Sequence, residues 1–435
     1  FEQGAETARA AELFCRAAEA AFRKREPESA VRLAGRGIAC GAQGELLGTL
    51  LALTSYCWFI IGRIDLSFPL ALEALPLVPP GSLPWTYSMS GACLVAPSGP
   101  PEWQRRFPEL MAQFLSVEPQ EDAESLYTDT ASHLVVAMVC VAPIGPIEAL
   151  GELSRLQVLC DRAEVRNPTL QRRFHSAYGR CLSLAAPEPW RVAQEGEVVA
   201  RLSRQSGDVF GLHVASVMEV AWCELGDADL AIQKLQAYPP SYEGVVAPTS
   251  RVRLAFVLST KEDPAAQQQA LLYSQEALDK LGSFPLTAIP AHDCKARVLL
   301  QQGRLAEAAL HAQEACRIQT TLPRYWLNAK ATLIRVLLAQ GNTTEALTVA
   351  EEGLAAIKHF GCIGDAEVEL RLAISEAFHA AGDSAKGLQE LQETLQQIQL
   401  RAQNIPNEYW RTSYLTRNPI CARAQQLARE WTSAA

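Results

Sequence analysis

The segment from Gln302 to Ala315, QGRLAEAALHAQEA, decides the fold of this chain. In it, Gly303 is followed by small residues five and twelve positions later, Ala308 and Ala315. Such self-similarity, when it recurs along a chain, predicts a repeat architecture in which each unit packs on its neighbours. Three further turn glycines precede small residues at offsets of five and about twelve: Gly226 before Ala231 and Ala237, Gly341 before Ala346 and Gly353, and Gly382 before Gly387 and, only roughly kept, Thr394.

The same register continues through the chain in weaker copies. One longer turn, at Pro264 and Ala265, precedes Ala270 and Ala277. Together with the clear copies, these predict nine or ten helical hairpins. The other weak copies are Gly62 before Ser67 and Ala74, Arg25 in place of glycine before Ala30 and Gly37, and turns at Ser98-Gly99, Ala142-Pro143 and Ala186-Pro187.

Each feature of the repeat has a physical role in a helical hairpin. A glycine adopts the left-handed backbone conformation that ends the first helix. Two small residues seven positions apart lie on one face of the second helix, where they let a neighbouring helix approach closely. No run of alternating apolar and polar residues announces a strand. The sequence therefore predicts an all-α protein.

The repeat pattern resembles the tetratricopeptide repeat over nearly the whole chain, with a period longer than the standard ~34 residues. The resemblance implies a right-handed α-solenoid, which we assign to residues 1–405, less regular before residue 200. A capping segment follows over residues 406–435. An atypical end is expected of any repeat array, because it shields the open core.

The capping segment also carries a narrower resemblance. Six of its residues are similar to the tail of the tetratricopeptide regions of large bacterial, notably myxobacterial, serine/threonine kinases with an AAA-like ATPase domain. The residues from Arg36 to Ala42, with Gly44 and Glu45, are similar to the first repeats of those proteins. This likeness, and a start at Phe1 rather than Met, imply a regulatory arm whose kinase and ATPase domains lie upstream. The six residues are Arg411, Ser413, Tyr414, Leu415, Pro419 and Arg423.

Charge and composition narrow the classes of partner. A net charge of -9 and scattered basic residues argue against nucleic acid. The longest apolar stretch, Leu46 to Ile61, contains several polar residues, so we predict a buried helix that falls short of a membrane span. Twelve cysteines are spread evenly without a CxxC pair. We read them as small core residues of a protein in the reducing cytoplasm.

No motif of phosphate binding or phosphoryl transfer occurs in the sequence, and no two histidines have the HxxxH spacing of a metal site. At His292, Asp293 and Cys294, three ligand types adjoin, but consecutive helical residues point in different directions. We therefore expect no catalytic residues, no metal and no cofactor.

A partner-binding groove can be predicted by counting back from each turn. In this architecture the first helix of each hairpin lines the concave surface, at positions about thirteen, ten and six before the glycine. The arginines among these residues could hold an acidic peptide, or could pair with carboxylates across the stack. The predicted inward-facing residues are Tyr56, His133, Arg173, Ser176, Arg180, His213, Ser216, Asp293, Arg297, Asn328, Arg335, Glu369 and Glu376.

Three functions fit these patterns. The first is a protein- or peptide-binding module that recruits partners for a signalling ATPase or kinase. The second is a small-molecule sensor in which Tyr56, Trp58 and Trp222 line a closed pocket. The third is a structural subunit with a broad apolar outer surface. A deep cavity favours the small molecule, and a wide open groove favours a peptide.

Overall fold

The computed structural model contains helices and turns, with no strand among the residues that it describes. The chain divides into two compact units, one formed by Phe1–Leu134 with Arg155–Val165 and the other by Val135–Ser154 with Arg166–Ala435. The structure describes residues 6–24, 26–96, 99–124, 126–128, 130, 131, 134, 171, 172, 174–176, 178, 179, 182, 188–206, 209–237, 246–282, 285–318, 323–360, 364 and 366–433.

The described part of the first unit consists of helices that follow one another in pairs joined by short turns. The first three of these helices pack together through buried alanine, cysteine and leucine side chains. The helices are α1 (Thr7–Arg23), α2 (Pro27–Ala39), α3 (Gly44–Ile61), α4 (Ile64–Ala74), a 3₁₀ turn (Leu75–Leu77), α5 (Leu83–Val95) and α6 (Pro101–Ser116).

Helix α3 corrects one prediction about membranes. It has 18 residues, and among the described helices it alone is long and apolar enough to cross a membrane. The prediction that this stretch falls short of a membrane span is therefore wrong. The same composition also suits a core helix, and α3 contacts α2, α4 and α5. Inside this packing, Ser55 Oγ donates a hydrogen bond to the carbonyl oxygen of Ser67 at 2.8 Å.

The second unit continues with the same hairpin construction. In its described part the first and second helices of each hairpin alternate along the chain, and α8 is separated from the short α9 only by a break at Val220. The helices are α7 (Pro189–Ser206), α8 (Val209–Glu219), α9 (Ala221–Glu224), α10 (Ala228–Gln236), α11 (Val246–Ser259), α12 (Pro264–Leu281), α13 (Pro285–Gln301), α14 (Leu305–Arg317), α15 (Pro323–Ala339), α16 (Thr343–Phe360), α17 (Ala366–Ala380), α18 (Ser384–Gln403), α19 (Glu408–Arg417) and α20 (Pro419–Ser433).

The glycine turns are where the sequence places them. Gly62, Gly226, Gly303, Gly341 and Gly382 all have positive φ angles between 71° and 89°. The small residues five and twelve positions later are buried against neighbouring helices. Ala237, which is eleven positions after Gly226, is the exception and is exposed, because α10 ends at Gln236. The predicted turn residues Arg25, Ser98, Ala142, Pro143, Ala186 and Pro187 lie outside the described residues.

The C-terminal helices α19 and α20 do more than cover the last hairpin. They contact α17 and α18, and they also reach the first described hairpins of the same unit. There the Trp410 ring lies 4.9 Å from that of Trp222 and 6.3 Å from that of Trp190, centroid to centroid. The prediction that each hairpin contacts only the next is therefore wrong for this unit, whose late helices close back on its early ones.

Candidate binding cavity in the second unit

The second unit contains a partly open cavity of about 440 Å³, to whose wall the C-terminal helices contribute. Its walls are the inner faces of first helices: α8, α11, α13, α15 and α17. The rest of the lining comes from the start of α7, from α9, from the turn after α11 and from Arg401 of α18, together with Tyr414 of α19 and the first residues of α20. A space of this size is in the range of pockets that hold small ligands or part of a peptide.

Five residues of this wall are among those that were predicted to face inward by counting back from the turn glycines. Asp293 and Arg297 line the cavity from α13, Asn328 and Arg335 from α15, and Glu369 from α17. The inward orientation predicted for these five residues agrees with the structure. It follows from the helical period, which returns the same face to the inside every three or four residues.

The other predicted inward residues lie elsewhere. Ser216 is buried, with its Oγ 3.4 Å from Ser250 Oγ. Tyr56 belongs to the first unit, where its ring is 5.2 Å from that of Tyr87 and 5.9 Å from that of Phe22. Ser176 is half-buried and does not line the cavity. His133, Arg173 and Arg180 lie outside the described residues, and of His213 only its place in α8 is described.

The cavity arginines are engaged by carboxylates. Arg297 donates to Glu369 through both terminal nitrogens, at 2.7 and 3.0 Å, and through Nε to Asp293 at 2.8 Å. Arg335 Nη1 donates at 2.5 Å to Glu369 Oε1, which also accepts from Arg297 Nη1. Two roles were predicted for these arginines, namely binding of an acidic peptide and pairing with carboxylates across the stack. For Arg297 and Arg335 the structure shows the pairing. Their charges are neutralised before any partner arrives.

This ion network continues to the C-terminal helix. Glu376 lies 3.8 Å from Arg335 and accepts a hydrogen bond at 3.1 Å from Arg423 of α20. Three arginines and three carboxylates therefore alternate in one row, which connects α13, α15, α17 and α20. The row is mostly shielded from water, with its Arg423 end exposed, and loss of a shielded member is costly because it leaves a charge without its partner.

Glu369, at the centre of the row, is ionised. Burial raises its pKa, but the charges of Arg297 and Arg335 and their hydrogen bonds outweigh burial and lower the pKa to about 2. Asp293 behaves differently, because burial raises its pKa more than Arg297 lowers it. Asp293 has one arginine as partner where Glu369 has two.

Three oxygen atoms on the cavity wall have no hydrogen-bond partner among the described residues. They are Asp293 Oδ1, Asn328 Oδ1 and Thr332 Oγ1. Asp293 and Thr332 are 4% and 1% exposed, so their oxygens have little access to bulk water. The Thr332 hydroxyl lies near enough to Asp293 to lower the pKa of that carboxyl as a distant donor, although neither Thr332 Oγ1 nor Asp293 Oδ1 has a partner with normal hydrogen-bond geometry. Buried polar atoms in native proteins are normally satisfied, so this cluster indicates a place for a polar ligand atom.

Several residues that line the cavity were not predicted by counting back from the turn glycines. Arg253 and Phe256 lie on α11, which ends at Ser259 without a glycine turn from which to count. The contribution of α19 and α20 depends on a contact between distant parts of the chain, for which the repeat pattern has no signal. The turn near Pro264, where Asp263 caps α12, could have supplied the register of α11.

The tryptophans predicted to line a closed pocket have other positions. Trp222 is 5% exposed and packs in the core against Trp190 and Trp410, and it is not part of the cavity wall. Trp58 belongs to the first unit, where the Arg63 guanidinium lies 5.9 Å from its ring centroid. The second unit has a partly open cavity, and these aromatic residues do not line it.

Most of the cysteines that the structure describes lie in the helical core. Seven of the eight described cysteines are buried and all eight are free. Burial raises the pKa of Cys57 to about 12 and that of Cys294 likewise to about 12, so both remain thiols near neutral pH. No group of three or more histidine, cysteine, aspartate or glutamate side chains suited to a metal ion occurs within the described ranges.

Comparison with known proteins shows the fold. No protein-family model matches the chain, and no curated protein matches its sequence. A solved structure of a monomeric IFIT1 mutant with Gppp-AAAA is similar, with 12% identity and a TM-score of 0.50 over 96% of this chain and 90% of that one. NprR in complex with its cognate peptide NprX has 13% identity and a TM-score of 0.48, over 86% and 98% of the two chains. The chain is an all-α solenoid of tetratricopeptide-like hairpins.

Proposed function

We propose that this chain is a binding module whose ligand is held inside the second unit. The observation that carries the proposal is the partly open cavity of about 440 Å³, to whose wall α19 and α20 contribute beside the inner faces of the repeat helices. Concave sites with mostly apolar walls and a few convergent polar groups are typical of ligand binding. We propose a role in binding rather than catalysis.

Two kinds of ligand are candidates. Tetratricopeptide-like folds use their concave face for peptides, and a peptide end that enters the cavity is our first candidate. The second is a small molecule, and the partial enclosure of the cavity by α19 and α20 favours it over a long extended peptide. An acidic peptide gains no support from the arginines, since it would have to displace Glu369 from both Arg297 and Arg335.

A cavity-filling variant tests the proposed site. Val217 is half-buried on the cavity wall, so Val217→Trp places a large ring inside it. Leu310→Trp is the matched control, because Leu310 is 68% exposed on α14 and does not line the cavity. The immobilised chain and both variants are incubated with a random library of short peptides and with a small-molecule library, and the retained compounds are identified by mass spectrometry.

The expected result is that compounds retained by the unmodified chain are also retained by Leu310→Trp and are lost with Val217→Trp. Equal retention by all three proteins would place binding outside the cavity. Failure of the unmodified chain to retain any peptide or small molecule would contradict the proposed function itself.

We further propose that the module regulates a signalling kinase or ATPase, as the resemblance of its C-terminal segment implies. Two of the resembling residues have structural roles in this chain: Tyr414 is buried beside the cavity, and Arg423 pairs with Glu376. An antibody against the second unit tests the association in extracts of the source organism. Detection on a polypeptide far larger than 47.4 kDa, with kinase peptides in its digest, is expected. A band at 47.4 kDa alone would contradict it.

A further inference from the structure

The three unpartnered oxygens are arranged on adjacent helices. Asn328 and Thr332 are four residues apart on α15, so their side chains leave the same face of that helix. Asp293 lies on the neighbouring α13, near enough for the Thr332 hydroxyl to lower the pKa of its carboxyl as a distant donor. Asp293 and Thr332 are both more than nine-tenths buried, and all three residues line the cavity. The wall therefore presents acceptor atoms that the described protein groups leave unused.

A primary ammonium group matches this wall in number and in chemistry. It has three N–H donors and no acceptor, whereas a carboxylate oxygen and an amide oxygen accept only, and a hydroxyl accepts as well as donates. A hydrogen bond from an ammonium to a buried carboxylate is charge-assisted and stronger than one between neutral groups. A cation there would also offset the burial that disfavours ionised Asp293.

The rest of the cavity wall bears on the body of the ligand. Its charged side chains are close to balanced, because five carboxylates face four guanidinium groups and one of the carboxylates, Glu188, pairs at 2.9 Å with Arg191 outside the wall. Much of the remaining lining is aliphatic, including Ile289, Leu300 and Ile420, which suits an apolar body attached to the cation.

We propose that the cavity binds a primary ammonium group carried on an apolar body, with the nitrogen against Asp293 Oδ1, Asn328 Oδ1 and Thr332 Oγ1. The inference rests on the proposed function, since it names the ligand class of the same cavity. Two sources share this chemistry: a small aliphatic amine, and the free N-terminus of an apolar peptide.

Two pairs of probes separate the ammonium from the body that carries it. Calorimetric titration of the full chain compares hexylamine with hexan-1-ol, and the tripeptide Ala-Phe-Ala with its N-acetylated form. In each pair the body is shared and only the first member carries the ammonium. The expected result is binding of hexylamine or of the free tripeptide, and affinity at least about 10-fold weaker for the matching neutral probe.

Variants assign the binding to the three oxygens. Asp293→Asn removes the charge, and we expect it to weaken ammonium binding about 10- to 100-fold. Thr332→Val removes an oxygen that has no partner in the described structure, so the fold is retained and binding weakens about 2- to 10-fold. Asp279→Asn, at an exposed position of α12, is the matched control and leaves affinity unchanged.

The outcomes discriminate between the inference and the function on which it rests. Tighter binding of the free tripeptide than of hexylamine identifies a peptide terminus, and the reverse identifies a small amine. Equal binding of charged and neutral probes, or unchanged affinity in both Asp293→Asn and Thr332→Val, overturns the ammonium class while the cavity remains a binding site. Absence of binding by all four probes also overturns it, and the library experiment with Val217→Trp then decides the proposed function separately.

Discussion

The side chain of Asn418 donates a hydrogen bond from Nδ2 to the backbone carbonyl oxygen of Glu224 at 2.7 Å, although Glu224 lies 194 positions earlier in the chain. The same side chain caps α20, since its Oδ1 accepts from the backbone N–H groups of Ile420 and Cys421 at 2.9 and 3.1 Å. One residue thus begins the last helix and attaches it to the end of α9. This attachment makes the second unit a closed arrangement around its cavity.

Replacement of Asn418 by aspartate separates these two roles. Aspartate caps a helix as well as asparagine does, but it cannot donate to the Glu224 carbonyl and would place a carboxylate against it. We expect Asn418→Asp to lower the free energy of unfolding by about 1–3 kcal/mol, and to speed amide hydrogen exchange around residues 220–226. Urea unfolding and exchange mass spectrometry measure the two effects.

Asn407→Asp is the matched control for that prediction. Asn407 is exposed and caps α19 through Oδ1, which accepts from Trp410 N at 3.1 Å. Both residues suit an N-cap, so stability and exchange should stay as they are in the unmodified chain. A similar loss of stability in both variants would mean that the bond to Glu224 contributes nothing measurable.

The contact of the C-terminal helices with the Gly226 turn gives a second prediction. A Cβ atom at Gly226 would lie 2.6 Å from the carbonyl oxygen of Ser413 and 2.9 Å from Cβ of Arg417. Gly303 has the same left-handed backbone, but a Cβ there would meet nothing within 4 Å. Gly303→Ala should cost about 1–2 kcal/mol from backbone strain alone. Gly226→Ala should cost about 1–3 kcal/mol more, because α19 must move.

Thermal or urea unfolding of the two alanine variants measures that difference. The backbone term is common to both, so the excess for Gly226→Ala reports the packing of α19 against the turn. Equal losses in the two variants would be incompatible with a cap that rests on Gly226.

The carboxylate of Glu369 is the centre of the buried ion network and gives a third prediction. Glu369→Gln removes one charge between Arg297 and Arg335, and leaves two buried guanidinium groups short of a partner. We expect the free energy of unfolding to fall by about 3–5 kcal/mol. Glu307→Gln, which removes an exposed partner of Arg304, should leave the unfolding midpoint where it is. An equal midpoint for the two variants would show that the buried network does not stabilise the fold.

The pH dependence of stability follows from the same group. The pKa of Glu369 falls from an ordinary value of 4.5 to about 2 in the folded chain, so the unfolded chain takes up its proton first as pH falls. Its stabilising contribution is present above the ordinary pKa and is lost as pH falls towards about 2. The difference in unfolding free energy between the unmodified chain and Glu369→Gln should therefore be largest near neutral pH and smaller near pH 3. A constant difference over this range would contradict the lowered pKa.

The sequence was informative where the chemistry is local. A turn glycine sets the phase of the helix before it, and this phase placed Asp293, Arg297, Asn328, Arg335 and Glu369 on one inner surface. The pairing of Arg297 with Glu369 was only one of two alternatives, because the residues are 72 positions apart and their distance depends on the stacking of three hairpins. Helical periodicity predicts which face is inside, but it carries no information about which inner residues meet.

The repeat pattern also did not predict that the second unit closes on itself, and here the reason is different. Each repeat specifies its contact with the next, and the sum of many small rotations decides whether the last helices reach the first. No single residue encodes that sum. Trp222 illustrates the effect: it was predicted to line a closed pocket, whereas α19 packs against it and makes it core.

The row of alternating charges from Asp293 to Arg423 also constrains how this protein can diverge. Three acids and three bases pair in sequence along this row, so a change of sign at one position leaves its neighbour without a partner unless a second position changes in the opposite sense. In related sequences, we therefore expect substitutions at these six sites to occur in compensating pairs. A substitution at Arg423 in the C-terminal helix should accompany one at Glu376 in the repeats.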